Sequence, residues 1–223
     1  MAEAVVIVAA GPGLGLAVAR RFAREGWSVG LIARSSATLD GLASVVRREA
    51  GVPVSTATAD VGEEAGLRAA LRSVASDVGE ATVLVYNGSA YVEGSVLSLT
   101  PAALRFALEV GVTGALVAAQ EVAPAMRRRG SGAILLTGSV AADRASTSAA
   151  AVGVAKAGLR SLARSLHKEV TGSGVRVVTV TINGALQGSR ALDADLIAER
   201  YWQLATGETV PEPVETFPPT SGG

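Results

Sequence analysis

The fold is decided near the N-terminus, by the stretch Ala4-Val5-Val6-Ile7-Val8-Ala9-Ala10-Gly11-Pro12-Gly13-Leu14-Gly15. Its first residues are apolar and largely β-branched, which predicts a buried strand. Glycines follow at once, and apolar side chains then recur at helical spacing, at Ala17, Val18 and Phe22. A strand, a glycine-rich turn and a helix in this order are typical of a unit that holds a pyrophosphate on the helix N-terminus.

Short apolar runs alternate with helical segments along the rest of the chain. This alternation predicts an α/β fold, a Rossmann-like doubly wound parallel sheet of six or seven strands with helices on both faces, in three α/β/α layers. The predicted strands are Ala4–Ala9, Ser28–Ala33, Val54–Ala59, Thr82–Asn87, Ala133–Thr137 and Arg176–Thr181. Two long helices are predicted from Thr100-Pro101 towards Met126 and from about Thr147 to Val170.

Length and composition narrow the class of protein. The 223 residues fit one domain, predicted over 1–207, followed by a proline- and glycine-rich tail over 208–223. The 20 basic and 20 acidic residues cancel, so no nucleic-acid partner is expected. With no cysteine and one histidine, neither a disulfide nor a metal site is expected. No targeting segment and no apolar run of roughly 18 residues is seen, which predicts a cytoplasmic protein without a membrane partner.

The glycine turn and the end of the second strand both suit a dinucleotide. Glycines let the backbone approach a pyrophosphate, which points to Gly11, Gly13, Leu14 and Gly15. Arg34 and Ser35 follow the second strand, where an acidic residue would hold the ribose of NAD(H). A planar guanidinium can grip a 2′-phosphate instead, so this position favours NADP(H). The alternatives are a merely tight turn and a solvated loop arginine.

Further motifs lie beyond this unit, most of them at predicted strand ends. Asp60-Val61 follows the third strand, Asn87-Gly88-Ser89-Ala90 follows the fourth, and Gly138-Ser139 follows the fifth. With the glycine turn, these motifs resemble the short-chain dehydrogenase/reductase family over nearly the whole chain, although Ala9 replaces the family's first glycine. The resemblance implies a cofactor site made of Gly11, Gly13, Leu14, Gly15, Arg34, Ser35, Asp60, Val61, Asn87, Gly88, Ser89, Lys156 and Gly184.

The same resemblance assigns a catalytic group from which two members are missing. In the family a serine hydrogen-bonds the substrate oxygen, a tyrosine donates the proton, a lysine lowers the tyrosine pKa, and an asparagine supports a water relay. Ser139 and Lys156 match the serine and the lysine. Val152 replaces the tyrosine and Gly111 the asparagine, so both losses fall on the supply of the proton. Tyr91 is a possible substitute donor, although such a residue more often lines a pocket as an amphipathic wall.

Loss of the donor bears on the choice of substrate. A simple ketone gives an alkoxide whose conjugate acid is about as weak as water, so a positioned donor is valuable. A quinone or conjugated enone gives a phenolate or enolate instead. Because a phenol has a pKa of about 10, solvent can protonate such an anion later. The chain is also similar to a branch of the family that lacks the tyrosine and is associated with quinone reduction. We therefore expect an NADP(H)-dependent oxidoreductase that reduces a quinone or conjugated carbonyl.

Two other functions are compatible with the same residues. The pocket could catalyse a non-redox step on a small molecule, such as a cyclisation, isomerisation or dehydration in a biosynthetic pathway. Loss of two catalytic residues together with Ala9 also fits a non-catalytic nucleotide-binding protein. In either case the predicted helices Thr100–Met126 and Thr147–Val170 correspond to those through which family members pair, so the resemblance implies a homodimer or homotetramer.

Overall fold

The computed structural model describes residues 3–184, 192–207 and 213–219. Seven parallel strands form one sheet in the order β3-β2-β1-β4-β5-β6-β7. This confirms the predicted doubly wound α/β fold. The strands are β1 (Ala4–Val8), β2 (Ser28–Ala33), β3 (Val54–Thr58), β4 (Val83–Tyr86), β5 (Gly132–Ser139), β6 (Val175–Ile182) and β7 (Val214–Phe217).

Helices cover both faces of this sheet, and each helix buries the apolar side of its own pattern. The helices are α1 (Leu14–Ala23), α2 (Ser36–Ala50), α3 (Glu64–Val78), α4 (Pro101–Leu108), α5 (Gly114–Arg129), α6 (Ala150–Val170) and α7 (Ala194–Thr206). One core layer joins α1, α2 and α7 to the sheet, and the other joins α3, α5 and α6. The strand order reverses between β1 and β4, which opens a crevice at the carboxyl ends of the strands.

The helix predicted from Thr100 to Met126 consists of two helices. The Thr100 hydroxyl oxygen accepts a hydrogen bond from Ala103 N at 3.1 Å, and Pro101 occupies the first turn, as predicted. A π-helical turn, Glu109–Thr113, then joins α4 to α5 without a break in direction. Such turns are frequent at functional sites, and this one contains Gly111, the position of the missing asparagine.

The helical stretch Pro101–Arg129 also bears on the expected absence of a span-length apolar segment. Its most apolar 18-residue window has a mean hydropathy of 1.6, so length and composition alone would allow it to cross a membrane. Charged residues such as Glu109 interrupt this stretch, so it is not one uninterrupted apolar run, and the cytoplasmic location without a membrane partner stays a prediction. Ala107, Ala115, Val117 and Met126 are buried against the rest of the domain, as in the core helix of a globular protein.

The predicted domain boundary at residue 207 falls before the last strand. β7 pairs with β6 from Thr179↔Val214 to Ile182↔Phe217. The Arg200 guanidinium on α7 donates to the Glu215 carboxylate at 2.6 Å, which ties the strand to the adjoining helix. This part of the predicted tail therefore extends the sheet, whereas 208–212 and 220–223 lie outside the described residues.

Candidate active site

The glycine turn leaves open space in front of the N-terminus of α1. A Cβ atom added at Gly11 or Gly13 would meet no atom within 4 Å. A Cβ at Gly15 would instead lie 3.0 Å from the Ala10 Cα, so that glycine is needed for the close packing of helix on strand. Because free amides line the first turn of a helix, the open side of this turn fits a pyrophosphate.

Ala9, at the position of the family's first glycine, has a backbone conformation that favours glycine. Its φ is +57°, in the left-handed region, and it is the only non-glycine residue with positive φ in the part of the chain that the structure describes. For a residue with a Cβ atom, this positive φ costs about 1 kcal/mol or more in backbone strain.

The nucleotide-site residues predicted at the ends of β2, β3 and β4 line one groove. Its cavity volume is about 520 Å³. Arg34 is exposed on its wall, and Ser35 stands beside it as the N-cap of α2, accepting from Thr38 N at 3.2 Å. The other predicted residues on the same wall are Asp60, Val61, Asn87, Gly88 and Ser89. The structure thus brings a cation, a carboxylate and an amide to one crevice, as the strand-end argument predicts.

Two predicted cofactor residues occupy less direct positions. The Leu14 side chain is buried in the core beneath α1, so only its backbone faces the turn. Gly184 is exposed after β6, and a Cβ there would lie 2.9 Å from Leu192 Cδ1. The stretch 186–195, the loop that by its position would cover the substrate, falls mostly outside the described residues.

Ser139 ends β5 with its side chain at the start of a short 3₁₀ turn, Val140–Ala142. Its Oγ accepts a hydrogen bond from Ala141 N at 3.1 Å. A serine hydroxyl has one proton and two lone pairs, so this bond fixes the rotamer and leaves the proton free to be donated. Ser139 is half-buried, which suits a donor at the edge of a substrate site.

Lys156 lies on α6 with its ammonium held by backbone oxygens. Nζ donates to Thr137 O at 2.7 Å and to Gly88 O at 3.4 Å. The side chain is buried, and burial lowers the pKa of Lys156 to about 8 from its ordinary 10.5. The two carbonyls orient the ammonium without neutralising it, so at neutral pH it keeps its positive charge beside Gly88 of the groove, and no carboxylate of the described residues bonds to it.

The structure shows what occupies the two missing catalytic positions. Val152 lies one helical turn before Lys156 and is half-buried, so an isopropyl group stands where a phenol is expected. Gly111 is buried in the π-helical turn, and a Cβ there would lie 3.0 Å from the Ala155 Cβ. A side chain at position 111 would therefore start in close contact with Ala155 of α6.

Tyr91 lines the nucleotide groove together with Phe106 and Val110. Its side chain is 73% exposed. This placement fits the amphipathic wall that the sequence favoured, and a donor role for its hydroxyl stays a prediction.

Sequence reasoning missed two residues beneath the site, Thr137 and Tyr201. The Thr137 hydroxyl bonds the Asn87 amide oxygen, and the Tyr201 hydroxyl oxygen lies 2.8 Å from Thr137 Oγ1. Thr137 lies two residues before Ser139 on β5, and this spacing on a strand is a weak signal that its side chain belongs to the same site. No local pattern could link it to a tyrosine 64 residues later, because the contact exists only once α7 has packed on β5.

Comparison with known proteins identifies the relatives of this chain. Residues 3–188 match the family model described as short chain dehydrogenase. The 2-(S)-hydroxypropyl-CoM dehydrogenase 3 of Xanthobacter autotrophicus is 32% identical over 200 residues, covering 88% of this chain and 78% of that protein. The 3-dehydrosphinganine reductase TSC10B of Arabidopsis thaliana is 30% identical over 176 residues, and the chain spans about half of its length, 52%.

A similar structure has also been solved with a nucleotide. The alcohol dehydrogenase of the archaeon Thermococcus sibiricus, complexed with 5-hydroxy-NADP, superposes with a TM-score of 0.85 at 25% identity. The superposition covers 97% of this chain and 95% of that one. The fold of this chain is thus also the fold of a protein whose structure has been solved with a bound nucleotide.

Proposed function

This chain is a member of the short-chain dehydrogenase/reductase family of oxidoreductases, and from that premise we propose that it uses NADP(H) to reduce a quinone or conjugated carbonyl. The observation that carries the proposal is the half-buried isopropyl group of Val152, one turn before the buried ammonium of Lys156. The site keeps groups that stabilise an anion and has lost the group that protonates it. Such a site suits an oxyanion that is stable until solvent supplies the proton.

Arg34 supports NADP(H) as the cofactor. Its guanidinium is exposed on the wall of the groove, and Ser35 and Thr38 adjoin it. A fork of N–H donors matches the planar oxygens of a phosphate, whereas NAD(H) recognition uses an acidic residue on the ribose at this strand end. The Thermococcus sibiricus relative supports the same class of nucleotide.

The residues of the catalytic end have separable tasks in this reaction. NADPH, when bound, supplies a hydride, which brings two electrons to the substrate. The Ser139 hydroxyl donates to the oxygen on which negative charge develops, while its Oγ still accepts from Ala141 N. The Lys156 ammonium lowers the energy of the same charge from beside Gly88. One proton from water then balances the products, a hydroquinone from a quinone or a saturated carbonyl from an enone.

The test compares acceptors that differ in the stability of the oxyanion. We expect NADPH oxidation with a quinone to exceed that with a simple ketone by on the order of 100-fold in kcat/KM, because a general acid is worth about 10²–10⁴. Val152→Tyr should raise the rate with the ketone by on the order of 10-fold or more and leave the quinone rate nearly unchanged. Val152→Phe is the matched control, since it adds the ring without the hydroxyl.

The contrary outcomes separate the alternatives. Equal rates with ketone and quinone would overturn the proposed acceptor class. Tight NADPH binding without turnover on any carbonyl would favour a non-redox reaction in the same pocket. Failure to bind either NADPH or NADH would favour a protein that has left nucleotide chemistry altogether.

The proposal extends to assembly as a homodimer or homotetramer through α5 and α6. These helices flank an apolar groove of about 480 Å³. Leu116 on α5 is 39% exposed beside it, while Arg127 and Glu169 lie on its wall as oppositely charged partners for a second copy. Light scattering after size exclusion should give at least twice the mass of the chain, and Leu116→Arg should shift it towards the monomer. A monomeric wild-type protein would contradict this assembly.

A further inference from the structure

Thr137 connects three elements beneath the groove. Its Oγ1 bonds Asn87 Oδ1 at the end of β4 and lies 2.8 Å from the Tyr201 hydroxyl oxygen on α7. Its backbone oxygen accepts from Lys156 Nζ at 2.7 Å. Tyr201 is fully buried, so a side chain that cannot reach solvent is bonded, through one hydroxyl, to an amide that lines the nucleotide groove.

A count of protons sets the direction of these bonds. Burial raises the pKa of Tyr201 far above its ordinary value, so the phenol keeps its proton. Within the described residues its one bonding partner is Thr137 Oγ1. Burying an O–H group without an acceptor costs more free energy than leaving one lone pair of an oxygen without a donor. The Tyr201 hydroxyl therefore donates, and Thr137 Oγ1 accepts. Thr137 then has one proton left, and it goes to Asn87.

This chain of donors decides which way the Asn87 amide faces. The Thr137 proton requires an acceptor, so Asn87 must present Oδ1 to Thr137. The Nδ2 group of the same planar amide, with two N–H donors, therefore points away from Thr137, on the side of the half-buried residue that lines the groove. With the Tyr201 proton removed, Thr137 could donate or accept, and the amide could turn over.

We propose that Tyr201 is a positioning residue which, through Thr137, holds the Asn87 amide as a hydrogen-bond donor towards an oxygen of the bound nucleotide. The proposal rests on the proposed function, because it takes the groove as a nucleotide site. Through Thr137, a residue of α7, which does not line the groove, thereby sets the polarity of a group that does. Tyr201 itself touches neither nucleotide nor substrate.

Nucleotide affinity provides the main test. Tyr201→Phe removes only the hydroxyl, and we expect the dissociation constant for NADPH to rise by about three- to ten-fold, the value of one hydrogen bond. Thr137→Val should cause a similar loss, whereas Thr137→Ser, which keeps the hydroxyl, should bind within about two-fold of wild type. The double variant Tyr201→Phe/Thr137→Val should bind no more weakly than Thr137→Val alone, because both changes break one chain.

Asn87→Asp tests the polarity directly. A carboxylate keeps the acceptor for Thr137 but turns a second acceptor to the groove in place of the donor, so NADPH should bind more than about ten-fold more weakly. Tyr86→Phe is the matched control for loss of a buried tyrosine hydroxyl, since that hydroxyl donates to Val110 O at 2.5 Å outside this chain of bonds. It should lower stability but leave NADPH affinity within about two-fold.

Unfolding of the nucleotide-free protein separates the two claims. A double-mutant cycle between Tyr201→Phe and Thr137→Val in urea should be clearly non-additive, whether or not NADPH binds. Wild-type protein that shows this coupling but binds no NADPH would overturn the proposed function and leave the hydrogen-bond chain standing. Wild-type protein that binds NADPH, with Tyr201→Phe or Asn87→Asp binding equally well, would overturn the positioning role and leave the proposed function standing. Additive unfolding effects would overturn the chain of bonds itself.

Discussion

The candidate site has a nucleotide end, at the glycine turn and Arg34, and a catalytic end, at Ser139, Val152 and Lys156, and the backbone is packed differently at the two ends. At the nucleotide end, a Cβ added at Gly11 or Gly13 meets no atom within 4 Å, and the crevice opens to about 520 Å³. At the catalytic end, α6 lies so close to the π-helical turn that a Cβ on Gly111 would be 3.0 Å from the Ala155 Cβ. The backbone is therefore open at the nucleotide end and closely packed beside Lys156. On the proposed function, we expect cofactor binding and proton supply, which the family combines in one site, to be separable in this protein.

The two missing catalytic residues differ in the same way. Val152 is half-buried on the helix face that carries Lys156, so a larger side chain can extend towards the groove. Gly111 is fully enclosed, and its neighbour Val112 in turn lies against Gly158 of α6. We therefore expect one substitution at Val152 to restore a proton donor, whereas an asparagine at position 111 would press on Ala155 of α6.

The largest effect is expected from removing the charge at the catalytic end. Lys156→Met should lower kcat/KM for the quinone by on the order of 10³-fold, because the oxyanion loses a charge held at a fixed position in a buried site. NADPH affinity, which depends mainly on the other end, should fall far less. Steady-state rates and fluorescence titration with NADPH make the comparison. An equal loss of affinity and rate would show that the two ends are not separable.

Deprotonation of Lys156 should change activity and stability in opposite directions as the pH rises. Because burial lowers the pKa to about 8, the ammonium is lost as the pH rises through that value, and the rate that depends on it should fall. Between about pH 8 and 10.5 the unfolded chain binds more protons at this site than the folded one, so the free energy of unfolding should rise with pH. Urea unfolding of wild type and Lys156→Met across this window isolates the effect. A wild-type rate that stays level through about pH 9.5 would contradict the required charge.

The next largest effect lies at the nucleotide end. Arg34→Glu should weaken NADPH binding by about 30- to 100-fold and change NADH binding little, since a charge-assisted phosphate contact becomes a repulsion. Arg48→Glu is the control, because it makes the same change of charge at an exposed position near the other end of α2. If both variants lose NADPH affinity equally, the preference comes from net charge rather than from a site.

The closed position at Gly111 should show itself in stability. Gly111→Asn should lower the free energy of unfolding by about 2 kcal/mol, the usual cost of overpacking. Gly111→Ala requires a shift of only a few tenths of an ångström and should be nearly neutral. Adding Ala155→Gly should recover part of the loss in Gly111→Asn, because it removes the methyl group in the way. Unfolding in urea measures all three variants, and a fully stable Gly111→Asn would show that the position is open.

The smallest effect concerns the strained turn. Ala9→Gly should raise the free energy of unfolding by about 1 kcal/mol, because glycine adopts positive φ without the Cβ clash. Ala10→Gly, on a neighbouring buried residue without positive φ, should instead lower it. A change in the same direction for both variants would argue against strain at Ala9.

Most of the fold could be predicted from the sequence because its signals are local. The apolar runs of β1 and β2 are buried on every residue, and their bounds agree with prediction to within one residue. The π-helical turn at Glu109–Thr113 could not be predicted, because it continues the helical pattern on both sides. β7 could not be predicted from the sequence either, because its four half-buried residues lie in a proline-rich tail and form a strand only by pairing with β6.

The candidate site also has a part that the sequence predicted and a part that it did not. The strand-end rule correctly brought Arg34, Asp60 and Asn87 to one groove, because parallel strands end at the same edge of a sheet. That rule concerns backbone topology and says nothing about which side chains are in contact behind that edge. The bonds of Thr137 to Asn87 and Tyr201 were therefore missed.

The sequence by itself determined the alternation of strands and helices as far as β6, the glycine turn, and which residues stand at the positions that the family resemblance makes catalytic. These follow from hydrophobic period, turn chemistry and spacing, which are properties of neighbouring residues. Only the tertiary structure decided that Lys156 is held by two backbone carbonyls, that α6 closes the space at Gly111, and that Tyr201 reaches Asn87 through Thr137. Those facts depend on how closely α6 and α7 pack on the sheet, and that distance is set by side chains far apart in the chain.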